Sequence, residues 1–245
     1  VAGIDVRMFK NTDLSGTDVL VAVPSVGLAS TIAATFLITA LNTDQIAAFD
    51  SDDFPPLSMV YAHKPKFPVR VYQAAREKLA IFICEVPLPT RTHRPLGRTV
   101  LEWARARGAR RILVLEGLPM PEGEKDEPVE VWAVGSTDES NREIEAAGLQ
   151  YLETGMVSGV AGIVLNEGRW AGYNVIALLG EARPYLPDAV AAARLVEAAD
   201  KLMPNVEVNL EPLLSQAKDL EAHLHALKEQ AKPITQAHVP DSYYR

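Results

Sequence analysis

The sequence predicts a three-layer α/β fold built on a mostly parallel sheet, and three observations carry that prediction. Residues 19–23, 79–84, 112–115 and 175–179 are apolar at every position rather than at alternate ones, as strands are when helices cover both faces of a sheet. Segments with helical periodicity fall between these runs. Alternation of strand and helix favours parallel strands joined by crossovers.

Each element has its own local reason. Residues 27–41, rich in Ala, Leu and Ile, form a helix opening just after the first strand. Residues 58–62 and 69–73 are weaker strand candidates before the 79–84 run, and 131–134 is a third. The helix over 98–107 stops at Gly108, a residue suited to the left-handed position that ends helices. Residues 119–128 are polar and bounded by prolines, hence a loop. In the last helix of the domain, 188–203, Asp188 caps the first turn after Pro187. Ala192, Leu195, Val196, Ala199, Leu202 and Met203 share one face there.

The end of the chain differs. Leu210, Leu213, Ala217, Leu220, Leu224, Leu227 and Ala231 recur at spacings of three and four, which makes an amphipathic helix with a heptad seam. Such a seam either folds back on its own domain or pairs between subunits. Pro233, Pro240 and a polar stretch follow, so residues 232–245 are expected to be a flexible tail reaching on the order of 45 Å when extended. The expected organisation is an α/β domain at 1–209, the amphipathic helix at 210–231 and the tail at 232–245.

Composition narrows the function. Lys and Arg total 24 against 32 Asp and Glu, a net charge of -8, which disfavours nucleic acid and anionic membrane surfaces as partners. Cys84 is the single cysteine, so neither an internal disulfide nor a thiolate cluster is available. No apolar run is long enough to span a bilayer and no secretory leader is visible, so a cytoplasmic location is expected.

The sheet rim is the place to look for chemistry, because the carboxyl ends of parallel strands share one edge. Ser25, Glu85, Glu116 and Glu181 each follow a strand end, which makes an enzyme of phosphorylase or hydrolase type the alternative reading. Against it, no His or Lys occupies a matching position, and Pro24-Ser25-Val26-Gly27 lacks the first glycine of a nucleophile elbow. Gly155, Gly159 and Gly162 fit neither dinucleotide nor P-loop spacing and are expected to permit close helix packing. His223 and His225 point apart on one helix, and His63, His93 and His238 stand isolated, so no metal site is expected. Arg91, Arg94, Arg98, Arg105, Arg107, Arg110 and Arg111 lack interleaved aromatics and read as a solvated or ion-paired face.

Three blocks give the chain a recognisable likeness. VAVPSVGLASTIAATFLITAL at 21–41 leads to Asp53-Phe54-Pro55-Pro56, and GRTVLEWARARGARRILVLEG occupies 97–117. GMVSGVAGIVLNEG opens a third block that runs from Gly155 to Ala226 through NVIALLGEARPYLPDAVAAARLVEAADKLM. In this order they resemble the proteasome assembly chaperone 2 family over roughly residues 15–230. Where many relatives carry a Gly- and Asn-containing turn, this chain has Pro24-Ser25-Val26-Gly27.

The resemblance implies a phosphorylase-like α/β domain and a protein that binds other proteins rather than an enzyme. It implies no nucleotide, metal or other cofactor. Its partner would be the α subunits of the proteasome core particle, contacted by a homo-oligomer acting as chaperone or adaptor. Members of this kind end in a hydrophobic residue, a tyrosine and any residue, which dock between α subunits. Tyr243, Tyr244 and Arg245 match that ending position for position. A tyrosine offers an apolar face with a polar tip, and the terminal carboxylate can meet a lysine or backbone donors.

Overall fold

The computed structural model describes residues 3–120 and 129–215. Its centre is four parallel strands, β2 (Asp18–Ala22), β7 (Leu79–Cys84), β8 (Arg111–Pro119) and β11 (Val175–Ala182), in the order β7-β2-β8-β11. These contain the four continuously apolar runs, save for Val23, which lies just past β2. Antiparallel strands extend the sheet beyond β7 through β6 (Val69–Ala74), β3 (Asp44–Asp50) and β1 (Asp5–Met8). On the other side β9 (Val131–Gly135) runs antiparallel to β11, and β10 (Gln150–Tyr151) follows parallel to β9. The sheet is therefore mixed, with nine strands and a parallel interior. A separate hairpin pairs β4 (Met59–Tyr61) with β5 (Lys64–Lys66).

Helices cover both faces. α1 (Ala29–Ala40) and α5 (Ala189–Asp200) bury Leu20, Ala22, Leu113, Leu115, Ile176 and Leu178 beneath them. α2 (Thr90–Ala106) and α4 (Gly159–Ala171) bury Val19, Val21, Ile112, Val114, Val175 and Ala177 on the opposite side. Alternate residues of one strand thus enter different cores, which is why every position must be apolar. α3 (Asp138–Ala146) lies towards the β9 edge and begins with a reciprocal Thr137–Ser140 capping box.

Local signals account for several boundaries. Asp188 accepts from the Ala191 amide at 3.1 Å and starts α5, and the six residues expected on its buried face are all in the core, although α5 ends at Asp200 and Leu202 and Met203 lie just beyond it. α2 begins at Thr90, earlier than periodicity indicates. Its first turns hold Pro95 and Gly97, yet Thr92 and Leu96 are buried and Gly97 lets α4 approach. A Cβ on Gly97 would stand 2.7 Å from Ile163 Cγ2. Helix packs against helix at this glycine rather than at Gly155, Gly159 or Gly162. A Cβ on Gly159 would meet only His93 Nδ1, at 4.0 Å, and Gly162 admits the Val157 carbonyl of its own entry turn.

The seam enters the described region only at its start. Leu213 is buried against the α1–α5 core, with Leu210 and Leu214 packed beside it. The seam residues from Ala217 onwards, the tail, and residues 121–128 of the expected loop lie outside the described residues.

Candidate functional site

The parallel strands bring their carboxyl ends to one edge, and the four rim residues meet different fates there. The turn after β2 is tightly wedged. Gly27 (φ 62°) would place a Cβ 2.9 Å from that of Asp188, and a Cβ on Gly117 would fall 2.2 Å from the Val26 carbonyl. Ser30 donates to the Val23 carbonyl, so Ser25 donates to the Ser30 hydroxyl, 2.8 Å away. Its proton is committed to another hydroxyl, with no base attached, which is not the arrangement of a nucleophilic serine.

Glu85 is locked. Its carboxylate accepts from the Arg70 guanidinium and, at 2.6 Å, from the Tyr61 hydroxyl. Arg70 is 3% exposed and also bonds the Phe67 carbonyl and the Tyr72 hydroxyl, with its guanidinium over both tyrosine rings. The bond to Glu85 raises the Tyr61 pKa, because losing the phenolic proton would set two anions together. Glu181, at the β11 end, receives the Glu130 amide at 3.4 Å.

Glu116 opens on a cavity of about 410 Å³ between the ends of β2 and β7, the β7–α2 loop and the start of α4, whereas Glu85 borders a separate, wider one beside α1. Burial pushes its carboxyl pKa up to about 8, with no cation nearby to oppose the shift. The cavity also holds His93, whose isolation in the sequence ends here: both residues line one pocket. The His93 Nε2 faces the Leu88 carbonyl at 3.1 Å, and a tautomer protonated there leaves Nδ1 as an acceptor on the Gly159 side. Thr90 and Ser158 add hydroxyls, while Val23, Leu88 and Val160 make apolar walls. Cys84 donates to the Val86 carbonyl at 3.1 Å, and burial pushes its thiol up to about 12, so it is no nucleophile.

The arginine cluster proves ion-paired where the structure gives it partners. Arg91 meets Asp53, Arg98 meets Glu167, and Arg110 grips Asp18 through two bonds of 2.9 and 2.7 Å. Arg111, 3% exposed, is enclosed by Asp18, Glu143 and the Leu202 carbonyl at the amino end of the sheet. Among the described residues no three His, Cys, Asp or Glu side chains cluster as metal ligands do, and no helix is long and apolar enough to cross a membrane. Tyr243, Tyr244 and Arg245 lie outside the described residues.

These features define a three-layer α/β domain whose rim holds one locked carboxylate, Glu85, and a second, Glu116, open to a cavity with largely apolar walls. The chain belongs to the PAC2 family, whose pattern it matches over residues 19–228. It is 26% identical over 212 residues to the uncharacterised protein MJ0106 of Methanocaldococcus jannaschii, covering 86% of this chain and 85% of that protein. Among solved structures it is similar to Pyrococcus furiosus PbaA, an archaeal homolog of proteasome-assembly chaperone. The TM-score is 0.84 at 30% identity, covering 93% of this chain and 92% of that one. Pyrococcus furiosus PbaB, an archaeal proteasome activator, shares the fold at a TM-score of 0.79 and 21% identity, covering 92% and 99%.

Proposed function

We propose that the chain is a proteasome assembly chaperone or proteasome-binding adaptor, docking on the α ring of the core particle through Tyr243, Tyr244 and Arg245. The observation that carries this reading is its likeness to PbaA across nearly the whole chain, joined to a terminal triplet of the docking type. Tyr244 fills a pocket between α subunits, Tyr243 packs beside it, and the carboxylate of Arg245 is held at the mouth. One tail bears an ordering cost and binds weakly alone, so a homo-oligomer presenting several tails supplies avidity. The rim supports a binding rather than a catalytic role: Ser25 is tied to Ser30, and Glu85 to Arg70 and Tyr61.

The test is a pull-down on purified cognate core particle with the full chain and with a chain lacking residues 243–245. Retention of the full chain and loss of the shortened one is the expected result. Equal retention would refute docking by the tail, and no retention of either would refute the proteasome as partner.

A further inference from the structure

The Glu116 cavity has no part in docking through the tail, yet it has the form of a small-molecule site. It stands outside the carboxyl ends of parallel strands, on the α2–α4 side, where open α/β sheets ordinarily receive ligands. Its volume, about 410 Å³, lies at the small end of the usual range for ligand pockets. Apolar walls surround a few convergent polar groups, and the Glu116 carboxyl among them has neither counter-charge nor hydrogen-bond donor among the described residues.

From this cavity and its lining we infer that the protein binds a small organic cation, an amine or amidine whose N–H groups pair with the Glu116 carboxylate. Three features select that class. The strongest polar groups present are acceptors, Glu116 and the His93 Nδ1, so the matching ligand is rich in donors. No Lys or Arg lines the cavity, so the positive charge must come from outside. A net charge of -8 favours the approach of cations. The amino end of α4 forms one wall, and its dipole, equivalent to roughly half a charge, offsets only part of a full carboxylate charge.

Without ligand, burial leaves the carboxyl protonated near neutral pH, so a cation displaces that proton when it binds. The titratable groups facing the cavity are Glu116 from β8, His93 from α2 and Cys84 from β7. β2 and α4 contribute none.

The test is calorimetry of the full chain with benzamidine, beside its neutral isostere benzamide and the anion acetate, in buffers of different ionisation enthalpy. Expected are saturable binding of benzamidine alone and release of a proton near neutral pH. Glu116→Gln should weaken binding about tenfold or more, as loss of a buried charge pair does. Ser158→Trp, at an exposed position on the cavity mouth, should block binding while leaving the melting temperature unchanged. Failure of benzamidine to bind the wild type, equal binding by Glu116→Gln, or benzamide or acetate binding as tightly would each overturn the assignment. Because no readout involves the proteasome, the result stands apart from the docking proposal.

Discussion

Glu85 follows β7 and Glu116 stands near the end of β8, parallel strands on either side of β2 at the same edge of one sheet, yet the fold treats them in opposite ways. Glu85 sits between a buried guanidinium and a tyrosine hydroxyl, so its charge is matched within the protein. Glu116 meets no cation, and burial lifts its pKa to about 8. The difference arises from what faces each strand end. β6 and the β4–β5 hairpin bring Arg70 and Tyr61 to Glu85, whereas loops and the start of α4 stand back from Glu116 and leave a cavity. A carboxylate at a strand end is thus a position, and its chemistry is decided by its neighbours.

The contrast breaks most sharply at Arg70. Arg70→Ala leaves Glu85 largely buried without its cation and removes the bonds to Phe67 and Tyr72. It should cost about 3 kcal/mol or more in urea unfolding. A loss below about 1 kcal/mol would show that Glu85 is not locked by this pair.

Glu116 should reveal itself through pH. Its folded pKa stands near 8, above its ordinary value near 4.5, so the folded state holds a proton that the unfolded chain releases. Its contribution to stability is greatest in acid and falls as pH rises between these values, on the order of 1 kcal/mol per pH unit. Above about 8 both states are ionised and the slope ends. Glu116→Gln should remove this slope and be the more stable protein at pH 8, as followed by urea midpoints. Parallel curves for the two proteins would place the carboxyl in water.

The smallest effect belongs to Tyr61, on an exposed hairpin. Tyr61→Phe keeps the ring over Arg70 and deletes only the bond to Glu85, so a loss of about 1 kcal/mol is expected. The Tyr61 hydroxyl absorbance should titrate at a pH above that of ordinary tyrosine, and Glu85→Gln should bring it down. An unshifted titration would show that the pair does not form in solution.

Much of the fold was legible because its signals are local. The parallel interior shows as continuous apolar runs, and α5 as Asp188 followed by one apolar face. β3 was not legible: Asp44–Asp50 places Ile46, Ala47, Ala48 and Phe49 in the core, but two alanines carry no strand preference and its partners are antiparallel neighbours distant in sequence. α3 was missed for a similar reason, since Asp138–Ala146 buries only Ser140 and Ile144 and shows little apolar periodicity. The rim carboxylates were legible as lying near strand ends, although Glu116 and Glu181 stand inside β8 and β11 rather than after them. That Glu85 would meet Arg70 and that Glu116 would share a cavity with His93 were not, because both depend on loops closing over the sheet.

The central claim rests on the last three residues, and affinity for the core particle tests it most directly. Biolayer interferometry would compare the wild type, Tyr244→Ala, Arg245→Ala and a chain with one residue added after Arg245. A buried tyrosine ring contributes roughly 1.5–3 kcal/mol, so Tyr244→Ala should weaken each contact about one to two decades, and several tails would multiply the loss. The added residue displaces the carboxylate and should also weaken binding, whereas Arg245→Ala keeps that carboxylate and should bind nearly as the wild type does. Equal affinity of wild type and Tyr244→Ala would contradict docking by the tail.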